Sequence, residues 1–349
     1  GWIGGQKGEA SGCTRWRFNT CPVPRRAAKN SRCAEEKAPY AADFNASRRH
    51  DRITLLLAPR SMGSPLHLKA GTVHVRTLGK IPAVTDEPTP SADAVKAEMS
   101  DYYDRLASNS TAARSLESGE NPESIAASDL ARRYFQMRKM RAAERLGGFQ
   151  PAQRLVEVGC ATGPYTIRFS TEMGYRMTGV DISPRSIEIA RELAVSLGLR
   201  DEISYLQGDF EQLECLDDGG HDGLVSFSCI RYVPDPLAAL HQARRVVKPG
   251  GRVVVDFPNR FCPWFKYLKT RFGVNVHFED RHFSVHEVRS MFTEAGLESV
   301  RFTKLLFTPT ITPAALLPAF KLLDLLGERT PGLKETAAII MCSGQVPLA

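Results

Sequence analysis

The sequence lacks any closely spaced pair of cysteines. Disulfide frameworks and structural zinc sites both need clustered or regularly spaced cysteines, and no C-x-x-C occurs anywhere in the 349 residues. The pattern therefore gives no support to either class and favours a reducing, cytoplasmic setting. The eight cysteines are Cys13, Cys21, Cys33, Cys160, Cys215, Cys229, Cys262 and Cys342.

A long apolar run is also missing. A membrane-spanning helix needs about 20 mostly apolar residues, and the most apolar stretch, Leu305 to Leu326, is interrupted by Pro309, Pro313 and Pro318. We therefore predict no transmembrane segment. The end of this stretch, Leu316 to Leu326, fits ordinary core packing best. An amphipathic lid over an apolar substrate and a peripheral contact with a membrane surface remain alternatives.

The net charge of +7 comes from the first part of the chain. Residues 1–98 contain 16 Lys and Arg against 9 Asp and Glu, which leaves 30 basic and 30 acidic residues for 99–349. A neutral body gives little reason to expect binding to a nucleic-acid backbone. Nucleic acid is therefore not an expected partner.

Residues 1–98 also differ in composition, with scattered Arg, Pro, Gly and Ser and little amphipathic periodicity. Such a segment is predicted to be mostly disordered, and the folded domain is predicted over 99–349. Met99-Ser100-Asp101 resembles a natural amino terminus, so our hypothesis is that residues 1–98 are an upstream extension. An organelle transit peptide is the alternative, although nine acidic residues disfavour it.

The most informative stretch is 155–166, Leu-Val-Glu-Val-Gly-Cys-Ala-Thr-Gly-Pro-Tyr-Thr. An apolar strand enters a turn bounded by Gly159 and Gly163, and Pro164 suits the first position of a helix. Backbone N–H groups at such a helix start can face an anionic or polar ligand, whereas Glu157 favours a cation. The dinucleotide fingerprint G-x-G-x-x-G fits poorly, because only the first of its three glycines is present.

Further strands follow at the spacing of a doubly wound sheet. The second, Tyr175 to Asp181, ends in a carboxylate that can accept hydrogen bonds from a ribose diol. A third, Glu202 to Gln207, leads into Gly208-Asp209-Phe210. The fourth, Gly223 to Ser228, is a continuous apolar run typical of a buried parallel sheet, and a fifth is predicted over Arg252 to Phe257.

These segments resemble the motifs of class I S-adenosylmethionine (SAM) methyltransferases, most closely the type 11 enzymes of the ubiquinone and menaquinone biosynthesis kind. The resemblance covers about residues 125–345 and is strongest over 155–257. It implies SAM as the methyl donor and S-adenosylhomocysteine as the product. It also implies transfer of a methyl group to an O, N or C atom of a small-molecule acceptor, which is lipid-, quinone- or sugar-like.

The family's fold is an α/β, doubly wound, Rossmann-like sheet of seven strands in the order 3-2-1-4-5-7-6, with the last strand antiparallel and a helical cap. We therefore expect a cofactor core over 152–257 and a substrate and cap region over 258–335. The final strand is predicted over Ala337 to Cys342. A helix over Asp129 to Leu146 is expected to pack on the sheet with a solvated Arg/Lys face.

The resemblance also implies the residues that contact the cofactor. Glu157 would meet the positively charged part of the ligand, Asp181 the ribose and Asp209 the adenine amine. Ala161 departs from the family's Gly-x-Gly-x-Gly pattern and would narrow the space beside the methionine part. The full predicted set is Glu157, Gly159, Cys160, Ala161, Gly163, Asp181, Ile182, Asp209, Phe210 and Ser228.

Acceptor contacts are expected in the aromatic-rich segment 256–267, after the fifth strand. Tyr232 and His282 are candidates for orienting or deprotonating an acceptor hydroxyl. Positioning alone can recover about 7 to 11 kcal/mol of a barrier, so a general base is not obligatory. No metal site is predicted from the histidines at 277, 282 and 286, because Ser284 is expected to cap a helix that excludes His282.

Two alternatives from other classes remain. An RNA or other nucleic-acid methyltransferase would carry Asn/Asp-Pro-Pro-Tyr after the fourth strand, where this chain has Ser228-Cys229-Ile230-Arg231. A catalytically silent SAM-binding protein would share the fold, although the presence of Glu157, Asp181 and Asp209 argues against it. The acceptor's identity and the oligomeric state are not encoded in these motifs.

Overall fold

The computed structural model describes residues 91–118, 130–265 and 280–348. All of them belong to the unit Pro82–Ala349. The disorder expected for residues 1–90 and the histidine at 277 lie outside the described residues.

Helices and strands alternate along most of the described chain. The helices are α1 (Ala92–Ser108), α2 (Thr111–Ser118), α3 (Leu130–Gly147), α4 (Pro164–Met173), α5 (Pro184–Ser196), α6 (Pro236–Val246), α7 (Val285–Glu294) and α8 (Leu317–Gly327). The strands are β1 (Arg154–Val158), β2 (Arg176–Asp181), β3 (Ile203–Gln207), β4 (His221–Ser226), β5 (Val247–Pro258), β6 (Glu298–Leu305) and β7 (Ile339–Gln345).

The strands form one seven-stranded sheet in the order β3-β2-β1-β4-β5-β7-β6. The pairs from β3 to β5 are parallel, and β7 lies antiparallel to both of its neighbours. The fold class and strand order predicted from the resemblance are therefore confirmed. The segment 258–335, predicted as the substrate and cap region, also contributes to the sheet, because it contains β6.

Local sequence signals explain where the helices around the sheet begin. Ser183 caps α5 by accepting a hydrogen bond from the Ser186 N–H, and Asp235 caps α6 in the same way. Ser284 and Glu287 form a capping box at the start of α7, as predicted. Each cap follows a strand or loop at the same edge of the sheet, so the helix starts converge there.

Two apolar layers cover the faces of the sheet. Val156 and Val158 pack with residues of α6 and α7 on one face, whereas Leu155 packs with residues of α3, α4 and α5 on the other. This alternation is the two-residue period of a strand buried on both faces. The sheet is thus buried on both faces, and the loops after β1 to β4 lie together at its carboxyl edge.

The predicted domain boundary at residue 98/99 is wrong in position, because it falls inside α1. Ser91 caps this helix, which runs without a break through Met99. Met99 and Ala107 are buried, and Ser100 donates a hydrogen bond to the Ile182 carbonyl. Residues from 91 onward therefore belong to the folded domain.

The core packing expected for Leu316 to Leu326 is also wrong. Only Leu317, Asp324 and Gly327 of α8 are buried, while most of its leucines are exposed. Within the described ranges, none of the helices combines the length and apolar composition that a bilayer crossing requires.

Candidate cofactor site

A cavity of about 310 Å³ opens at the carboxyl ends of β1 to β4. Ligands of open α/β sheets bind at this edge. Seven of the ten predicted cofactor residues line the cavity, and they come from four separate loops. These seven are Gly159, Ala161, Asp181, Ile182, Asp209, Phe210 and Ser228.

The loop between β1 and α4 forms one wall. The backbone N–H groups of Gly159 and Cys160 both donate to the Val180 carbonyl, at 2.8 and 3.0 Å. Gly163 precedes α4 with a φ of +84°, and an added Cβ there would lie 2.2 Å from the Tyr205 hydroxyl. Both the conformation and the space at this position require glycine.

Ala161, which departs from the family pattern, adopts a φ of +47°. A left-handed conformation costs a residue with a side chain about 1 to 2 kcal/mol. The Ala161 N–H donates to Asp181 Oδ2 at 2.7 Å, which offsets part of this cost. The loop is therefore fastened directly to the acid at the end of β2.

Asp181 lies at the carboxyl end of β2 and is almost fully buried. Its Oδ1 accepts a second hydrogen bond from the Ser183 N–H at 3.0 Å. Burial raises the pKa of this carboxyl, and the hydrogen bonds from Ser183 and Ala161 oppose the shift. Because a carboxylate offers about four lone-pair positions, Asp181 can still accept hydrogen bonds from ligand hydroxyls in the cavity.

Glu157 is one of the three predicted cofactor residues that do not line the cavity. Its side chain is fully buried behind the loop, where Oε2 accepts a hydrogen bond from the Thr166 hydroxyl at 2.5 Å. Burial raises the pKa of Glu157 to about 8, and Oε1 has no hydrogen-bond partner among the described residues. Cys160 is likewise buried, and Gly163 forms the start of α4.

Asp209 lies on the cavity wall in an ionic cluster. Lys96 of α1 contacts Asp209 Oδ2 at 2.7 Å and Glu211 Oε2 at 2.5 Å. Burial opposes the charge on Lys96, but the two carboxylates outweigh burial and raise its pKa. The cluster therefore holds α1 over the part of the cavity formed by the β3 loop.

Ser228 connects the cavity to a buried ion pair. Its N–H donates to Asp256 Oδ1 at 2.6 Å, and its hydroxyl accepts from Lys139 Nζ at 2.8 Å. Lys139 and Asp256 contact each other at 2.5 Å, with side chains 0% and 1% exposed. Ser228 itself has a φ of +57°, so this pair holds a residue in the left-handed region against the cavity.

The Lys139 ammonium is also surrounded by aromatic rings. It lies 5.3 to 5.5 Å from the centroids of Phe135, Tyr165 and Phe227. These rings add cation–π attraction to the contact with Asp256. The solvated Arg/Lys face expected for this helix is thus wrong for Lys139, which points into the core.

The two candidate acid–base residues lie in different places. Tyr232 lines the cavity, with its ring 6.5 Å from that of Tyr103, and burial raises its pKa. His282 lies 4.0 Å from Asp280 and beside the Phe265 ring, outside the cavity lining. The structure therefore brings Tyr232 to the site and leaves His282 away from it.

Sequence reasoning missed Lys96, Met99 and Tyr103, which α1 contributes to the cavity. The signal was present, because Val95, Met99, Tyr103 and Leu106 recur at helical spacing after a capping serine. Assigning residues up to 98 to a disordered extension concealed it. Among the described residues, no group of His, Cys, Asp or Glu is arranged to hold a metal ion.

The strand order and the loop fastened to an acid at the end of β2 define the class: a class I SAM-dependent methyltransferase domain, with SAM as its cofactor. Residues 156–255 match the family model described as "Methyltransferase domain". This segment of the chain is therefore similar to that family of domains.

Proteins similar to this chain in sequence or in fold include several methyltransferases. The chain is 33% identical to a ubiquinone biosynthesis O-methyltransferase of Alkalilimnicola ehrlichii over 34% of this chain and 46% of that protein. It is 26% identical to a demethylmenaquinone methyltransferase of Bacillus cereus over 45% of this chain and 75% of that protein. The structure of Haemonchus contortus phosphoethanolamine N-methyltransferase 2 with SAM aligns at a TM-score of 0.44, with 15% identity, over 60% of this chain and 52% of that chain.

Proposed function

We propose that this protein transfers the methyl group of SAM to a small, largely apolar acceptor of the quinol or lipid-like kind. The observation that carries the proposal is the cavity at the carboxyl edge, where the Ala161 loop meets Asp181. The names of the relatives support a quinol acceptor. They also disfavour the nucleic-acid and catalytically silent alternatives. A cytoplasmic setting stays a prediction from the cysteine pattern.

The residues of the cavity fit the parts of SAM. Asp181 keeps free acceptor positions for the ribose hydroxyls, and Asp209 can accept from the adenine amine. Buried Glu157 has an unpartnered Oε1, which suits a positive charge on the other side of the loop. A cation there would lower the raised pKa of Glu157, and so binding would favour its ionised form.

When bound, SAM supplies a methyl group already activated by the sulfonium charge. The task left for the chain is to hold the two reactants and exclude water, which can recover about 7 to 11 kcal/mol. Ser228 and Phe227 form the wall next to the buried Lys139–Asp256 pair. That pair fixes the wall, and Tyr103 and Tyr232 also line the cavity.

The ionisable groups on the wall indicate which acceptors are suitable. Burial raises the pKa values of both Tyr103 and Tyr232, so both hydroxyls remain protonated near neutral pH. They can orient an acceptor by donating hydrogen bonds, but they are poor general bases. The site therefore favours an acceptor with an acidic hydroxyl or an inherently nucleophilic atom, and a quinol meets this requirement.

Calorimetric titration of the full chain with SAM and with S-adenosylhomocysteine tests the cofactor half of the proposal. Both ligands should bind, and NADH should not. Asp181→Asn should weaken binding by about 1 to 3 kcal/mol, because an amide N–H₂ would face backbone donors. Asp201→Asn, at an exposed turn before β3, is the matched control and should bind normally.

Transfer of labelled methyl groups to a panel of acceptors tests the other half. The panel should contain catechol-type quinols, demethylated naphthoquinols, amines and RNA. Turnover on quinols that is lost in Asp181→Asn would support the proposal. Turnover on RNA alone, or normal SAM affinity in Asp181→Asn, would contradict it.

A further inference from the structure

Helix α8 presents its apolar side to solvent. Leu322, Leu323, Leu325 and Leu326 are 54%, 39%, 47% and 55% exposed, and we call these four residues the leucine face. The buried side of the same helix carries Leu317, Asp324 and Gly327. A helix packed on a soluble core normally shows the opposite arrangement.

Polar contacts fix this orientation. Asp324 is fully buried and accepts hydrogen bonds from the Phe307 N–H, the Thr308 N–H and the Thr308 hydroxyl. Gly327 allows the Phe307 ring to approach, since an added Cβ would lie 2.6 Å from it. Rotating α8 to bury its leucines would strip Asp324 of these three donors and leave a carboxylate without hydrogen bonds, which is costly when the group is buried.

Further contacts hold the end of the helix. Glu328 accepts hydrogen bonds from the Leu306 N–H at 2.9 Å and from Arg138 of α3 at 2.5 Å. The helix is thus tied to the segment after β6 and to α3 by acids that face inward. The same contacts keep the leucine face exposed to solvent.

The exposed charged residues of α8 and of the two residues after it are both basic. Asp324 and Glu328, the acids of this segment, are turned inward, whereas Lys321 and Arg329 are exposed. Lys321 also contacts the Tyr134 ring, with its ammonium 5.1 Å from the centroid. An apolar stripe with basic residues beside it is complementary to an anionic lipid surface.

We propose that α8 lies in the interface of an anionic bilayer, with the leucine face inserted and Lys321 and Arg329 near the lipid phosphates. A second copy of the chain fits less well. A helix of 11 residues is about 16 Å long and about 10 Å wide. The face of such a helix covers an area far smaller than the roughly 800 Å² that each partner buries in a stable interface. A symmetric contact would also bring like charges together.

Sedimentation of the full chain with vesicles tests this directly. Phosphatidylcholine vesicles with phosphatidylglycerol should bind the protein, and phosphatidylcholine alone should bind it more weakly. Added salt should weaken the binding, because exposed charges are screened. Leu322→Ser with Leu326→Ser should reduce the partition coefficient at least about tenfold, since two half-exposed leucines lose their burial.

The matched control removes two exposed apolar side chains elsewhere. Val195→Ser with Leu348→Ser, at positions 58% and 79% exposed, should bind vesicles like the parent chain. Unchanged thermal unfolding would show that both double variants fold. Equal vesicle binding by all three proteins, or self-association of the parent chain through α8 without vesicle binding, would overturn the proposal. No cofactor or acceptor is present, so the result is independent of the proposed activity.

Discussion

Replacing Lys139 with methionine should destabilise the fold by about 3 to 5 kcal/mol, because it leaves the Asp256 carboxylate buried and unpaired. Methionine keeps most of the side-chain volume and its contacts with the surrounding rings, so the loss reports the charge. For a domain of this size, the melting temperature should fall by about 6 to 20 °C. Equilibrium unfolding in urea measures the free energy directly.

A second substitution distinguishes the contribution of the Lys139–Asp256 ion pair from that of the packing around it. Asp256→Asn keeps a carbonyl oxygen that can accept the Ser228 N–H, as Oδ1 does now. Combined with Lys139→Met, it removes both charges and retains that bond. The double variant should be less destabilised than the sum of the single variants by about 2 kcal/mol or more.

An exposed ion pair provides the control. Arg185 and Glu188 contact each other on α5 with side chains 41% and 58% exposed, and Arg185→Met should cost about 0.5 kcal/mol or less. The reasoning is refuted if Lys139→Met costs no more than this control, or if the two core substitutions are additive. Weaker SAM binding by Lys139→Met is also expected, because Ser228 would lose the hydrogen bond that its hydroxyl accepts from Lys139.

Three other predictions follow from the site. Gly163→Ala should destabilise the fold by more than Gly174→Ala. Both glycines are left-handed, with φ 84°, ψ 21° and φ 73°, ψ 27°, but an added Cβ would lie 2.2 Å from the Tyr205 hydroxyl at Gly163 and no closer than 4.0 Å to another residue at Gly174. Adding Tyr205→Phe should partly rescue Gly163→Ala, and urea unfolding compares all three. Ala161→Gly should change stability by less than about 1 kcal/mol, since released strain offsets added chain entropy, and calorimetry should show unchanged SAM affinity. Glu157 has a raised folded-state pKa of about 8, so its contribution to stability is present below the unfolded value and is lost as pH rises through about 8. Because the unfolded carboxyl titrates at about 4.3, urea unfolding compared at about pH 5 and about pH 8 should show the decline, and Glu157→Gln should abolish it.

The sequence was sufficient to predict the sheet and much of the cavity. The apolar runs between glycine-containing turns predict the positions of β1, β2 and β4. The role of Asp181 as a ligand-binding residue was predicted from its position at the end of β2. Asp181 and Asp209 line the cavity because a parallel sheet brings the ends of its strands to one edge. These predictions depend on local pattern and topology, which are both visible in one chain.

Other features depend on contacts between distant residues. Lys139 sits in an Arg/Lys-rich helix and looks like a solvated cation until Asp256, far along the chain, is placed beside it. The leucine face of α8 is exposed although it is apolar, because the hydrogen bonds to Asp324 fix which side of the helix is buried. His282 was predicted from its residue type, but the Asp280 and Phe265 contacts hold it elsewhere.

The position of β7 has a consequence for how the protein is made. β7 lies between β5 and β6 and pairs with both, from Ile339 to Gln345. During synthesis, β5 and β6 must wait with unpaired edges until this late segment leaves the ribosome. Unpaired edges of that kind invite aggregation. We therefore expect the newly made chain to be most dependent on chaperones just before β7 emerges, and a chain cut short before Ile339 to fail to close its sheet.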